Sequence, residues 1–98
     1  MSTSTPFQIS DRDYKMLKVL LNKYDDSFSF FVFGSRARGT ARQYSDIDIA
    51  YQSNNNSSIA SLQDDIEESN LSITVDLVNL KEVEPSFRKL IESEMISI

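Results

Sequence analysis

Residues 34–48 read GSRARGTARQYSDID. Both glycines of the chain, Gly34 and Gly39, lie in this stretch, with Arg36, Arg38 and Arg42 between them and a pair of aspartates, Asp46 and Asp48. The segment before it, 28–33 (FSFFVF), is short, aromatic and nearly continuous in apolarity, the pattern of a strand buried on both faces. The segment that closes it, 46–51 (DIDIAY), alternates with period two. Asp46, Asp48 and Ala50 would share one face of a strand, and Ile47, Ile49 and Tyr51 the other. Residues 35–39 fit a short helical turn closed by Gly39, and 40–45 fit a polar connection. So short a link predicts antiparallel pairing of the two strands. Gly34 and Ser35, at the end of the first strand, would then lie beside Asp46 and Asp48 at the start of the second.

Ser10 followed by Asp13 resembles a capping box with Asp in the place of Glu, and Tyr14, Leu17, Leu20, Leu21 and Tyr24 recur at helical spacing, predicting a helix over 11–24. Residues 52–58 (QSNNNSS) read as a flexible loop. Ile59, Leu62 and Ile66 form the stripe of a helix over 58–69, with Asn70 as its C-terminal cap. Residues 72–78 (SITVDLV) alternate as a third strand, placing Ile73, Val75 and Leu77 opposite Thr74, Asp76 and Val78. Pro85 suits the first turn of a last helix whose apolar face holds Phe87, Leu90, Ile91 and Met95. That stripe suits core burial better than an interface. The helix between the second and third strands lets these run parallel. The expected fold is thus α/β, of the α+β kind: one domain over 1–98, with a three-stranded mixed sheet and about three main helices.

A chain of 98 residues buries roughly 60–68% of its unfolded surface and has no room for a second substrate-binding lobe. It has no cysteine and no histidine, which excludes a disulfide framework, a thiolate metal site and histidine acid–base chemistry. No apolar run approaches the ~20 residues that cross a bilayer, and MSTSTPFQI lacks the basic and apolar regions of a signal peptide, so a soluble cytoplasmic protein is expected. The net charge of −5 argues against general nucleic-acid binding. Residues 34–45 nevertheless carry +3, leaving −8 elsewhere. A local cationic spot on an acidic body suits a small polyphosphate.

Asp46 and Asp48 would stand ~6.5–7 Å apart along one strand face, and Asp76 on the neighbouring strand could add a third carboxylate. Such acids suit hard cations, and two Mg²⁺ ions ~3.5–4 Å apart would polarise the entering and leaving oxygens of a phosphoryl displacement. Gly34 and Ser35 can offer backbone amides and a hydroxyl to an anion, and the arginines further donors. Singly, each feature has an ordinary reading: a solvated strand edge for the acids, a turn for Gly-Ser, a soluble face for the arginines. Their joint order and spacing favours the catalytic one.

Gly34-Ser35, ten intervening residues, then Asp46-x-Asp48 and a carboxylate on a later strand resemble the signature of the DNA polymerase β-like nucleotidyltransferase superfamily. The short form GSRARG…SDIDI resembles its minimal nucleotidyltransferases, the MNT proteins, over nearly the whole chain. The resemblance implies transfer of a nucleoside monophosphate, AMP foremost, from a Mg²⁺-bound nucleoside triphosphate such as ATP to a hydroxyl. It implies that Gly34 and Ser35 hold the β- and γ-phosphates and that Asp46 and Asp48 ligate both metals; with Arg36, Arg38, Arg42 and Ser45 the expected nucleotide-binding set is complete. Asp76 would bind the catalytic metal and help deprotonate the acceptor. The partner implied is a HEPN-domain ribonuclease toxin, neutralised by modification, in a hetero-complex or an oligomer. Rival readings are a binding-only antitoxin acting by occlusion, an enzyme acting on a small molecule or RNA end, and self-modification at Tyr44.

Overall fold

In the computed structural model, residues 5–98 are described. The reading of the N-terminus as lacking a signal peptide falls partly on residues 1–4, outside the described residues. The elements are α1 (Asp11–Asn22), β1 (Phe28–Phe33), α2 (Ser35–Arg38), β2 (Ile47–Ser53), α3 (Ala60–Glu67), β3 (Val75–Asn79), α4 (Pro85–Glu94) and β4 (Ile96–Ser97). The sheet has the order β3-β2-β1-β4. β1 runs antiparallel to β2, and β2 parallel to β3, as the link lengths require.

Alternation along the strands divides the core in two. On one face, Val32, Ile47 and Ile49 pack with Leu17 and Leu21 of α1 and Leu62 of α3. Burying each such side chain contributes about 1.5–3 kcal/mol. On the other face, Phe33, Ala50 and Leu80 pack beneath Ile91 of α4, with Phe31, Val78 and Met95 beside them. α4 covers only part of this face. Ala50 is fully buried under it, whereas Asp48, two residues earlier on the same side of β2, is only half-buried. The uncovered part is where the acids lie.

The structure amends several expectations. The sheet gains a fourth strand, β4, which pairs with Phe31 and Val32 of β1. Met95 adopts extended backbone and ends α4, releasing the chain to the sheet edge. α1 ends at Asn22, α3 is shorter than 58–69, and β3 begins at Val75. Asn70 is not the α3 cap: Glu68 fills that position, and the Asn70 carbonyl accepts a hydrogen bond from Arg12 instead. β2 continues through Ser53, which lies opposite Phe28, so the polar loop is confined to the residues after it. The Ser53 hydroxyl accepts bonds from the Asn55 and Ser57 amides within that loop.

Only half of the capping box forms. The Ser10 hydroxyl accepts from the Asp13 amide, but the Asp13 carboxylate turns away to Ser72, accepting from both its amide and its hydroxyl. Asp13 is thereby a buried tie between the start of α1 and the approach to β3.

Candidate active site

β1 delivers Gly34 to the acids. Phe33 is paired in register with Asp48, so the next residue of β1's chain emerges against the Asp48 side chain. Gly34 has φ +77°, and a Cβ added there would press into the Asp48 carboxylate. Conformation and space therefore both require glycine at this position. Gly39 closes α2 with φ +79° and open space around it, so its requirement is conformational alone.

β3 delivers Asp76. Its Cα is the register partner of Asp48 on the parallel neighbour, and paired strands lie about 4.8 Å apart. The two carboxylates emerge on the same face. The Asp48 carboxyl is held above its ordinary 3.8 by burial first, then by the charges of Asp76 and Asp46, with a smaller push from Glu94; Arg38 pulls the other way. A carboxylate surrounded by carboxylates is what a divalent cation would relieve. Donor type and face fit such an ion. Among the described residues, however, no three acids are gathered closely enough to hold one. Asp46 and Asp76 are exposed.

The arginines separate. Arg38 stays at the site, beside Asp48, Asp76 and Gly34 in a cleft of about 340 Å³ whose apolar wall is Val78, Phe87 and Leu90. Arg36 departs from the expectation of a nucleotide contact. It is 4% exposed, and its guanidinium donates to the carbonyls of Gln8, Gln43 and Ser45. Along the single turn of α2, residues 36 and 38 point to different sides, and only one can face the cleft. Ser45 likewise serves the loop: its hydroxyl accepts from the Arg42 amide. Arg42 is exposed on that loop, and Ser35 is half-buried at the start of α2.

Two residues of this neighbourhood carried no sequence signal. The Gln8 side-chain amide clamps the loop at Ala41, donating to its carbonyl and accepting from its N–H, so the loop that presents Asp46 is held by Arg36 and Gln8 together. Glu94, at the end of α4, accepts from the Gly34 amide and from Arg38. The apolar stripe of α4 is divided too. Ile91 and Met95 join the core, while Phe87 and Leu90 remain 41% and 55% exposed at the cleft.

Comparison with known proteins decides the family. The Polymerase beta, Nucleotidyltransferase family matches residues 15–98. The chain belongs to that family. A probable protein adenylyltransferase MntA of Haemophilus influenzae is 27% identical over 101 aligned residues, covering 100% of this chain and 89% of the relative. Among solved structures, a toxin–antitoxin with AMP-PNP matches with TM-score 0.67 and 26% identity, over 87% of this chain and 70% of that one. A mutant toxin–antitoxin MntA-HpeT matches with TM-score 0.66 and 26% identity, over 93% of this chain and 72% of that one. The mixed sheet and helices described above are thus those of a nucleotidyltransferase fold. No helix among the described residues is long and apolar enough to cross a membrane.

Proposed function

We propose that this chain transfers AMP from ATP to a hydroxyl of a partner protein in the cytoplasm, and that the partner is a HEPN-domain ribonuclease toxin neutralised by the modification. One observation carries the reading: Asp48 and Asp76 are register partners on one sheet face, with Gly34 packed against Asp48. The likeness to a probable protein adenylyltransferase and to a toxin–antitoxin bound to AMP-PNP supports it.

In this reading residues 1–98 act as one minimal domain. Gly34 and Ser35 hold the β- and γ-phosphates, and Arg38 and the exposed Arg42 face the triphosphate charge. Asp46, Asp48 and Asp76 would hold Mg²⁺, which when bound neutralises the phosphate charge and aligns the entering and leaving oxygens. Asp76 also borders a second opening of about 410 Å³ between α3 and β3, which supports the reading that it accepts the proton of a hydroxyl arriving from outside. The acceptor oxygen bonds to the α-phosphorus, the bond from that phosphorus to the bridging oxygen breaks, and pyrophosphate leaves.

The test is incubation of chain and toxin with α-labelled ATP and Mg²⁺. Label on the toxin, absent with Asp46→Asn plus Asp48→Asn, is the expected result. Neutralisation by that double variant, with no label transferred by the wild type, would establish occlusion instead. Tyr44 is 75% exposed two residues before Asp46. An AMP adduct on this chain, seen by intact mass without toxin, would indicate self-modification.

A further inference from the structure

Glu94 is the last residue of α4. Its carboxylate accepts the Gly34 N–H, and its two oxygens accept from Arg38 Nη1 at 3.0 and 2.9 Å. The side chain is only 15% exposed. Its surroundings are otherwise unfavourable: the C-terminal end of a helix repels negative charge, the last turn of α4 contains no basic residue, and Asp48 and Asp76 share the same cleft. What holds the carboxylate there is one backbone amide at a glycine and one guanidinium. That is a donor set suited equally to a phosphate oxygen.

We propose that Glu94 is an internal stand-in for a nucleotide phosphate, closing the Gly34 and Arg38 donors in the free chain and leaving them when a triphosphate binds. The inference rests on the reading of Gly34 as a phosphate contact. Residues 96–97 are pinned to β1 and Ile91 is locked in the core, so the exchange is a rotation of the Glu94 side chain rather than a loss of α4. Glu94 thereby sets nucleotide affinity: the apparent dissociation constant is the intrinsic one divided by the fraction of molecules with the donors open. If about nine-tenths of the free chain is closed, freeing the donors tightens binding about tenfold.

The chain has two glycines, so labelling with ¹⁵N-glycine gives two amide signals, one reporting the site and one, from Gly39, reporting the fold. Inorganic tripolyphosphate and ATP are titrated into wild type, Glu94→Gln and Glu94→Asp; the last keeps the charge but withdraws it by one methylene. The expected result is that the Gly34 signal of both variants is displaced before any ligand is added, and that both bind tripolyphosphate and ATP about tenfold more tightly than wild type. If the Gly34 signal responds to ligand in all three proteins with equal affinity, or with weaker affinity in the variants, Glu94 is a structural pin and the proposal is overturned while the phosphate reading stands. If no ligand moves the Gly34 signal in any of them, the phosphate reading falls and the proposal with it. An undisturbed Gly39 signal in at least one variant keeps the comparison valid.

Discussion

Asp13 and Asp48 are both drawn out of water, and the chain treats them in opposite ways. Burial alone pushes Asp13 upward, but the Ser72 hydroxyl and amide, Ser10 and Arg12 outweigh it and hold the carboxyl below its ordinary 3.8. Asp48 meets burial together with Asp76, Asp46 and Glu94, and only Arg38 opposes them, so its carboxyl is held above 3.8. One acid is closed by donors and ties α1 to the approach to β3. The other is left facing like charge at the mouth of a cleft. A folded chain tolerates the second arrangement at a cost in stability, and such strained electrostatics cluster where ligands bind.

The contrast is sharpest in substitution. Asp48→Asn removes the proposed cation ligand and a repulsive charge together. Transfer activity is expected to fall about 10³-fold, equivalent to ~4 kcal/mol of transition-state stabilisation, while the denaturant midpoint stays level or rises. A fall in the midpoint alongside activity would break the comparison. Asp13→Ala is the converse case: Ser72 loses two acceptor contacts, and chemical denaturation should show a loss of about 2–3 kcal/mol, with activity per folded molecule retained.

Ser10→Ala probes the same region more gently. It removes the cap on α1, with an expected loss of ~1 kcal/mol in the same assay. The pH dependence separates the two acids by sign. The unfolded chain binds a proton on Asp13 at a higher pH than the folded chain does, so the Asp13 contribution is present above 3.8 and is lost as pH falls through the lowered value. For Asp48 the folded chain binds the proton first, so its contribution is fully present below 3.8 and is lost as pH rises through the raised value. Stability measured from pH 3 to 7 should therefore lose its acid-side fall in Asp13→Asn and gain a shallower decline with rising pH in Asp48→Asn.

Much of this was legible before the structure because it rested on local rules. The period-two pattern of 46–51 and the short link from 34 to 45 gave the antiparallel pair, and Gly39 closed α2 as its left-handed backbone requires. The parallel run of β2 and β3 followed from the helix between them, whereas the register that sets Asp76 opposite Asp48 did not. What escaped depended on direction or distance. Nothing in SRAR distinguishes an arginine turned into the fold from one turned toward the cleft, yet Arg36 is buried against carbonyls and Arg38 is not. Asp13 reaches Ser72, 59 residues along the chain, rather than completing a local box. Glu94 is one of two acids on α4, and β4 is two residues long, too short for any periodicity.

The central claim, resting on the proposed function, is that the cleft acids Asp48 and Asp76 hold a cation-bound triphosphate. The most direct measurement is the unfolding midpoint with and without Mg²⁺ and a non-hydrolysable ATP analogue, for wild type and for Asp48→Asn plus Asp76→Asn. At ligand concentrations 100 times the dissociation constant, binding stabilises the folded chain by about 2.7 kcal/mol. The account predicts that gain in the wild type and none in the double variant. An equal gain in both proteins, or none in the wild type, would contradict it.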